Sequence, residues 1–393
     1  MSDTLSDRRS EIESNREKTS DFKGKIAEEK FMTLRFADHL GGIPNYIPGK
    51  PVEELERELG IKEAIKMASN ENFQGPSPRV SAAIAEKIAQ LNLYPDSGCF
   101  VLRRALAKRF RVQPAQVIVG NGSNYLIELI CRCVLNPGDE GMTSDPSFAF
   151  YRRAIRGALG TVKSIPLKNF EFDLEEILRS LSQKTRIVFL ASPNNPTGRI
   201  IPFSQLKSFL NHLDPGIFVV LDEAYFEFVD SPEAASGLQI LKDHENLIVL
   251  RTYSKIFSLA GLRIGFGIAH PAVIQALLKL FLPFSVSTLS QAAALASLEE
   301  EKALADIKRA NQEGKMYLYR ELDDLGLPFV PTEANFILVN VGDASRIDEQ
   351  LLKAGIIVRD MTPWNLPQHL RITISTPGNN RRLVEALRSI LGK

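Results

Sequence analysis

Asn246-Leu247-Ile248-Val249-Leu250-Arg251-Thr252-Tyr253-Ser254-Lys255 is the stretch on which the fold class turns. It begins as a short, uninterrupted apolar run, the pattern of a strand covered on both faces, so Thr252, Ser254 and Lys255 fall where strand gives way to loop. A lysine there is held on a rigid support instead of moving freely in water. Similar runs are Gln116-Val117-Ile118-Val119, Arg186-Ile187-Val188-Phe189-Leu190-Ala191, Ile217-Phe218-Val219-Val220-Leu221 and Ile264-Gly265-Phe266-Gly267-Ile268-Ala269. Between them, from about residue 75 to 280, apolar residues recur at helical spacing. The alternation predicts an α/β fold with a mostly parallel central sheet in an αβα sandwich. In such sheets ligands bind beyond the carboxyl ends of the strands. The chemically suggestive turns lie there, except at Ile264–Ala269, which follows Arg263 and leads toward a helix.

After Pro283 the pattern changes. It predicts one long helix from Ser287 to Leu325, strands around Asn335–Val341, Ile356–Arg359 and Leu370–Ile374, and a last helix from about Asn379. The expected organisation is a large domain over 75–284 and a smaller α+β domain over 285–393. Residues 32–74, with turn signals at Gly41-Gly42-Ile43-Pro44 and Pro48-Gly49, are assigned to the small domain and a subunit contact. Residues 1–31 are charged and poor in apolar side chains, the composition of a disordered or weakly helical arm. They lack the apolar segment of a secretory signal, and their acidic residues argue against an organellar transit peptide, so the expected compartment is the cytoplasm.

Composition narrows the function. With 393 residues, 44% hydrophobic and 24% charged, the chain has ample core. Its formal net charge of +1 offers no basic field for nucleic acid or an anionic membrane, which leaves a small-molecule partner. No apolar run approaches a membrane span. Cys99, Cys131 and Cys133 are too few for a disulfide framework, and the five histidines are scattered without metal-ligand spacing, so no metal is expected.

Gly120-Asn121-Gly122-Ser123-Asn124 follows a strand and opens a helix, an arrangement that cradles anions on free N–H groups and the positive helix end. An ordinary turn with Ser123 as N-cap reads equally well from this segment alone. Arg263, with hydroxyls at Thr252 and Ser254, makes a bound phosphomonoester the better reading, because a guanidinium donates two charge-assisted hydrogen bonds. Asp222 ends a strand in Leu221-Asp222-Glu223-Ala224-Tyr225 and needs a cation or donor if buried. A protonated pyridine nitrogen is one such cation; a capping or salt-bridged aspartate is the bland alternative. Tyr225 suits a ring hydroxyl or plain core packing. The turn Ser192-Pro193-Asn194-Asn195-Pro196-Thr197-Gly198 is stiffened by prolines and presents Asn195 at a defined point. In Asp145-Pro146-Ser147-Phe148 the aromatic suits stacking on a flat ring or, as is commoner after a proline, plain packing.

Together these segments resemble the pyridoxal-phosphate-dependent aminotransferases of fold type I, and within them the class II histidinol-phosphate aminotransferases. The resemblance runs from about Asn45 to the C-terminus. It is carried by Tyr46-Ile47-Pro48-Gly49, Ser69-Asn70-Glu71-Asn72, Tyr94-Pro95-Asp96, Asn194-Asn195-Pro196-Thr197-Gly198, Asp222-Glu223-Ala224-Tyr225, Thr252-Tyr253-Ser254-Lys255, Leu259-Ala260-Gly261-Leu262-Arg263 and Leu370-Arg371-Ile372-Thr373. It implies Lys255 as the Schiff-base lysine, Asp222 at the pyridine nitrogen, Asn195 and Tyr225 at the ring oxygen, and Phe148 stacked on the ring. Ser123, Asn124, Thr252, Ser254 and Arg263 would hold the phosphate, joined by Tyr94 of a second subunit. Arg371 would clamp the substrate α-carboxylate, and Arg359 with the partner-borne Tyr46 would reach the distal group. Asn72 joins the implied substrate contacts. The implied partners are an amino donor, a 2-oxo acid acceptor such as 2-oxoglutarate, and a second copy of the chain in a homodimer.

The chain departs from the family pattern at Asn124-Tyr125, where Asp-Glu is usual, and at Phe73-Gln74, where proline usually follows the asparagine. The second change borders the substrate region. An aromatic amino-acid aminotransferase and a threonine-phosphate decarboxylase therefore stay open beside histidinol-phosphate transamination. A non-catalytic cofactor-binding regulator is the alternative from another class.

Overall fold

The computed structural model describes residues 35–43, 45 and 49–393, in two units, Met1–Pro44 and Asn45–Lys393. The charged arm over 1–31 and Tyr46 lie outside the described residues. Within the first unit the described residues form a short 3-10 helix, Asp38–Gly42, with none of its side chains buried.

In the second unit the strands are β1 (Ile65–Lys66), β2 (Val117–Gly120), β3 (Glu140–Asp145), β4 (Thr161–Pro166), β5 (Thr185–Ala191), β6 (Phe218–Asp222), β7 (Leu247–Thr252), β8 (Gly265–Ala269), β9 (Phe329–Val330), β10 (Phe336–Asn340), β11 (Ile356–Ile357), β12 (Arg359–Asp360) and β13 (His369–Thr373). Seven form the central sheet, in the order β2-β8-β7-β6-β5-β3-β4. Pairings from β7 through β6, β5 and β3 to β4 are parallel, and β8 runs antiparallel to both its neighbours. That reversal explains the exception seen in the sequence. Gly265 at the start of β8 pairs with Gly120 at the end of β2 and Thr252 at the end of β7, so Arg263 enters at the edge where the parallel strands finish.

The continuous apolar runs are buried on both faces, as their pattern predicts. Val188, Leu190, Val219, Leu221, Leu247 and Val249 join one core cluster, while Ile187, Phe189, Val220, Ile248 and Leu250 join another across the sheet. β3 and β4 do not read as apolar runs. The interior of β3 is buried but built from Gly141, Met142, Thr143 and Ser144, and Ile155 presses so close to Gly141 that a Cβ there would lie 2.7 Å from it. β4 is an edge strand with mostly half-exposed or exposed side chains.

The C-terminal part carries a four-stranded antiparallel sheet, β12-β13-β10-β9, and β1 pairs in parallel with β11. The single helix expected from Ser287 to Leu325 is two, Thr288–Ser297 and Glu301–Asp324. The apolar face changes partner at the break: Ala293 and Ala294 pack into the core of the central sheet, Leu318 and Leu322 into that of the small sheet. The strand expected over Ile356–Arg359 is likewise divided, Ile356–Ile357 pairing with β1 and Arg359–Asp360 with β13. Among the described residues no helix is long and apolar enough to cross a membrane, and no cluster of His, Cys, Asp or Glu is arranged to hold a metal. The three cysteines are free thiols.

Candidate active site

A cavity of about 350 Å³ opens at the carboxyl ends of the central strands. Each strand end delivers one part of it: Ser123 and Asn124 follow β2, Phe148 follows β3, Asn195 follows β5, Asp222 ends β6, and Thr252, Ser254 and Lys255 come from the end of β7. Tyr225, Arg263, Arg359 and Arg371 complete the expected residues that line it.

Asp222 is 5% exposed. Its Oδ2 accepts a hydrogen bond from the Tyr151 hydroxyl at 2.8 Å and its Oδ1 one from the Ala224 N–H at 3.0 Å. Among the described residues it has no salt-bridge partner and caps no helix, the two bland readings of the sequence. Burial pushes its carboxyl up to about 6; the two donors and the Lys255 charge pull against that, and Glu223 adds to it. A buried carboxylate so placed favours a cationic ligand group. Lys255 donates through Nζ to the Ser69 carbonyl at 3.1 Å, with Nζ 5.4 Å from the centroid of the Tyr225 ring.

The anion cradle is built on close approach. The helix Gly122–Val134 begins at Gly122, with Asn121 as N-cap and no side-chain capping bond, so Ser123 lies in the first turn and is not the cap. First-turn N–H groups have no partner within the helix and are available to a ligand. Gly122 sits at φ +80°, where a Cβ would be 2.6 Å from Arg263 Nη2; a Cβ on Gly265 would be 2.7 Å from the Ser123 nitrogen. Arg263 Nη1 donates to Ser254 Oγ at 3.2 Å, and Thr252 Oγ1 donates to the same hydroxyl at 3.0 Å. These N–H, hydroxyl and guanidinium groups suit a phosphate dianion.

Two arginines from the small sheet line the same cavity. Arg359 of β12 is the register partner of Arg371 of β13, and cross-strand partners share a face. Arg371 is buried, lies over the Phe336 ring, and donates to Asn195 Oδ1 and to the Ala68 carbonyl. The Arg371 bond occupies the Asn195 carbonyl and leaves its Nδ2 as the donor for a ligand.

A family model for class I and II aminotransferases matches residues 62–387. The histidinol-phosphate aminotransferase of Moorella thermoacetica is 42% identical over 89% of this chain and 91% of its own length. The histidinol-phosphate aminotransferase 2 of Carboxydothermus hydrogenoformans is 41% identical over 90% and 98%. The chain belongs to the class I and II aminotransferases. A crystal structure of the Sinorhizobium meliloti histidinol-phosphate aminotransferase in complex with pyridoxal-5'-phosphate superposes on this aminotransferase with a TM-score of 0.84, 29% identity, and coverage of 91% of this chain and 98% of that one.

Of the residues expected at the site of this aminotransferase, Asn72 lies elsewhere, and Tyr94, expected to reach the cradle of a second subunit, stands outside the cavity of its own chain. Asn72 does not line the cavity; its amide donates to the Ile256 carbonyl at 3.0 Å and Ser258 Oγ at 2.8 Å, locking one loop to another. Tyr94 is 83% exposed and stacks on Phe284 with ring centroids 4.8 Å apart. Tyr151, Asn70 and Trp364 are among the cavity residues that the sequence does not single out. Tyr151 holds Asp222, stacked on Phe189 and edge-on to Phe148. Asn70, buried at φ +55°, donates to the Tyr225 hydroxyl at 3.0 Å and is itself held by Thr373 and Asn335. Trp364 lies beside Arg359. Asn70 stands within a quoted motif, so its polar neighbours were a usable signal; Tyr151 sits inside an amphipathic helix and reads as core.

Proposed function

We propose that this aminotransferase depends on pyridoxal phosphate and moves the amino group of histidinol phosphate to a 2-oxo acid, with 2-oxoglutarate as the acceptor, in a homodimer that shares its active sites. The carrying observation is the register pair Arg359 and Arg371, facing the same cavity as Lys255, Asp222 and the anion cradle. Histidinol phosphate has no carboxylate; its phosphate ester stands one methylene from the amino-bearing carbon. Both guanidiniums therefore address one dianion in the donor half-reaction and the two carboxylates of the acceptor in the other. This replaces the separate assignment of Arg371 to an α-carboxylate and Arg359 to a distal phosphate.

The residues fit the cofactor. The cradle of Gly122, Ser123, Asn124, Thr252, Ser254 and Arg263 would hold its phosphate, Asp222 its ring nitrogen, Phe148 one ring face, and the Lys255 amine its aldehyde carbon. When bound, the group supplies a pyridinium ring that withdraws electrons from the amino-bearing carbon. Asp222 sustains the positive charge at the ring nitrogen. Tyr225, which accepts from Asn70, retains its own proton to donate to a ring oxygen, and Asn195 offers Nδ2 to the same atom. Lys255 takes a proton from the substrate carbon as base and returns one as acid.

The dimer rests on Tyr94. It lies in an exposed apolar surface with Leu91, Leu93, Phe100, Leu282 and Phe284, its two segments joined by the Phe284 N–H to Ser97 Oγ bond at 3.3 Å. Exposed apolar surface of this kind marks an interface.

Steady-state rates with histidinol phosphate, phenylalanine and phosphothreonine, with CO2 release monitored, test the reading. Histidinol phosphate should lead in kcat/KM by roughly a hundredfold or more, because a site built for a phosphate rejects ligands that leave its charges unpaired. A preference for phenylalanine, or CO2 from phosphothreonine, would sink it.

A further inference from the structure

We propose that Trp364 is a specificity-determining, positioning residue: its indole face holds the Arg359 guanidinium at the cavity wall, in the orientation that receives a phosphate. The inference rests on the proposed histidinol-phosphate reading.

Arg359 and Arg371 face each other across an antiparallel pair, and like charges in that relation repel. Each is steadied by an aromatic ring: Phe336 lies 5.4 Å from the Arg371 guanidinium carbon, and Trp364 lies 4.8 Å from that of Arg359. Stacking on an aromatic face fixes the plane of a guanidinium, and its fork matches an oxyanion through two parallel hydrogen bonds. Trp364 itself lines the cavity.

The turn that carries the indole is pinned. Asp360, next to Arg359 in β12, accepts at Oδ1 from the Thr362 N–H at 2.8 Å and hydroxyl at 2.7 Å, and at Oδ2 from Ser345 Oγ at 2.9 Å. Successive strand residues point to opposite faces, so one strand sends the arginine to the cavity and the aspartate to the turn. Asn365, at φ +60°, ends the 3-10 turn Thr362–Trp364, and the half-buried indole packs beside Met361, Leu338 and Val330. A ring that packs against both the core cluster and a guanidinium has little freedom.

Trp364 is also the single tryptophan of the chain, so protein fluorescence reports on this wall directly. In the holoenzyme, Trp364→Ala should raise KM for histidinol phosphate about tenfold, the size of a partly desolvated cation–π contact, with kcat held within about twofold. Trp364→Phe, which keeps an aromatic face, should restore KM to within about threefold. KM for phenylalanine should rise less than KM for histidinol phosphate in Trp364→Ala, because a single carboxylate draws less on Arg359 than a phosphate dianion does. Titrating wild-type holoenzyme with inorganic phosphate should change tryptophan emission saturably, and Arg359→Gln should abolish the change. An unaltered KM for histidinol phosphate in Trp364→Ala, an equal loss of kcat in the Ala and Phe variants, or phosphate-independent emission would each overturn the proposal. If the wild type fails to turn over histidinol phosphate, the substrate reading falls, and the emission titration still decides whether Trp364 and Arg359 form an oxyanion site.

Discussion

Asp222 illustrates how one side chain carries opposing demands. Its carboxyl rises from 3.8 to about 6, chiefly through burial. A carboxyl raised in the folded state contributes stability fully present below its unfolded value and lost as pH rises through about 6. In the cofactor-free protein, the ionised group should therefore cost about 3 kcal/mol above pH 6. Asp222→Asn should unfold at higher urea than the wild type at pH 8, and at the same urea concentration below pH 4; a constant offset would exclude the titration. Tyr151→Phe removes the donor to Oδ2 and should push the carboxyl higher still, moving that crossover upward in pH. At this scale the sequence was legible where polar residues follow the end of an apolar run, as at Asp222 and Lys255. Tyr151 and Trp364 were not, because long-range packing gives each its role: one sits in a helix face, the other in a turn ordered by Asp360.

At the scale of elements, the anion cradle depends on two backbones that meet without side chains. Gly122 combines φ +80° with a would-be Cβ 2.6 Å from the Arg263 guanidinium, so Gly122→Ala should displace the arginine from Ser254. Loss of one charge-assisted contact should weaken cofactor binding by roughly tenfold to a hundredfold while leaving the melting temperature of the cofactor-free protein within a few degrees. Equilibrium dialysis with pyridoxal phosphate checks this, and undiminished affinity would show that the close approach is dispensable. Elements were readable where burial and apolar pattern coincide, as in β5, β6 and β7. β3 escaped because glycine, threonine and serine fill its buried positions, and the break after Ser297 escaped because helical periodicity continues while the packing partner changes.

The whole molecule joins two sheets through polar contacts that reach the site. Thr373 at the end of β13 holds Asn70, and Asn70 holds Tyr225 beyond β6, so the small sheet and the central sheet bear on one hydroxyl. Alternating strands and helices made the layered architecture visible in the sequence; the meeting of β1 with β11 was not, since two-residue strands carry no periodicity. The exposed Tyr94 extends the argument to two copies of the chain. If Tyr94 serves the partner's phosphate cradle, then Lys255→Ala and Tyr94→Ala damage different halves of a shared site. In a twofold dimer, a hybrid of the two variants holds both defects in one site and none in the other. Random subunit exchange makes half the dimers hybrids, so mixing the two proteins at limiting cofactor should restore up to about a quarter of wild-type activity. Sites confined to single chains would give only the average of the two separate variants, and sedimentation of the mixture establishes that dimers are present when the rates are compared.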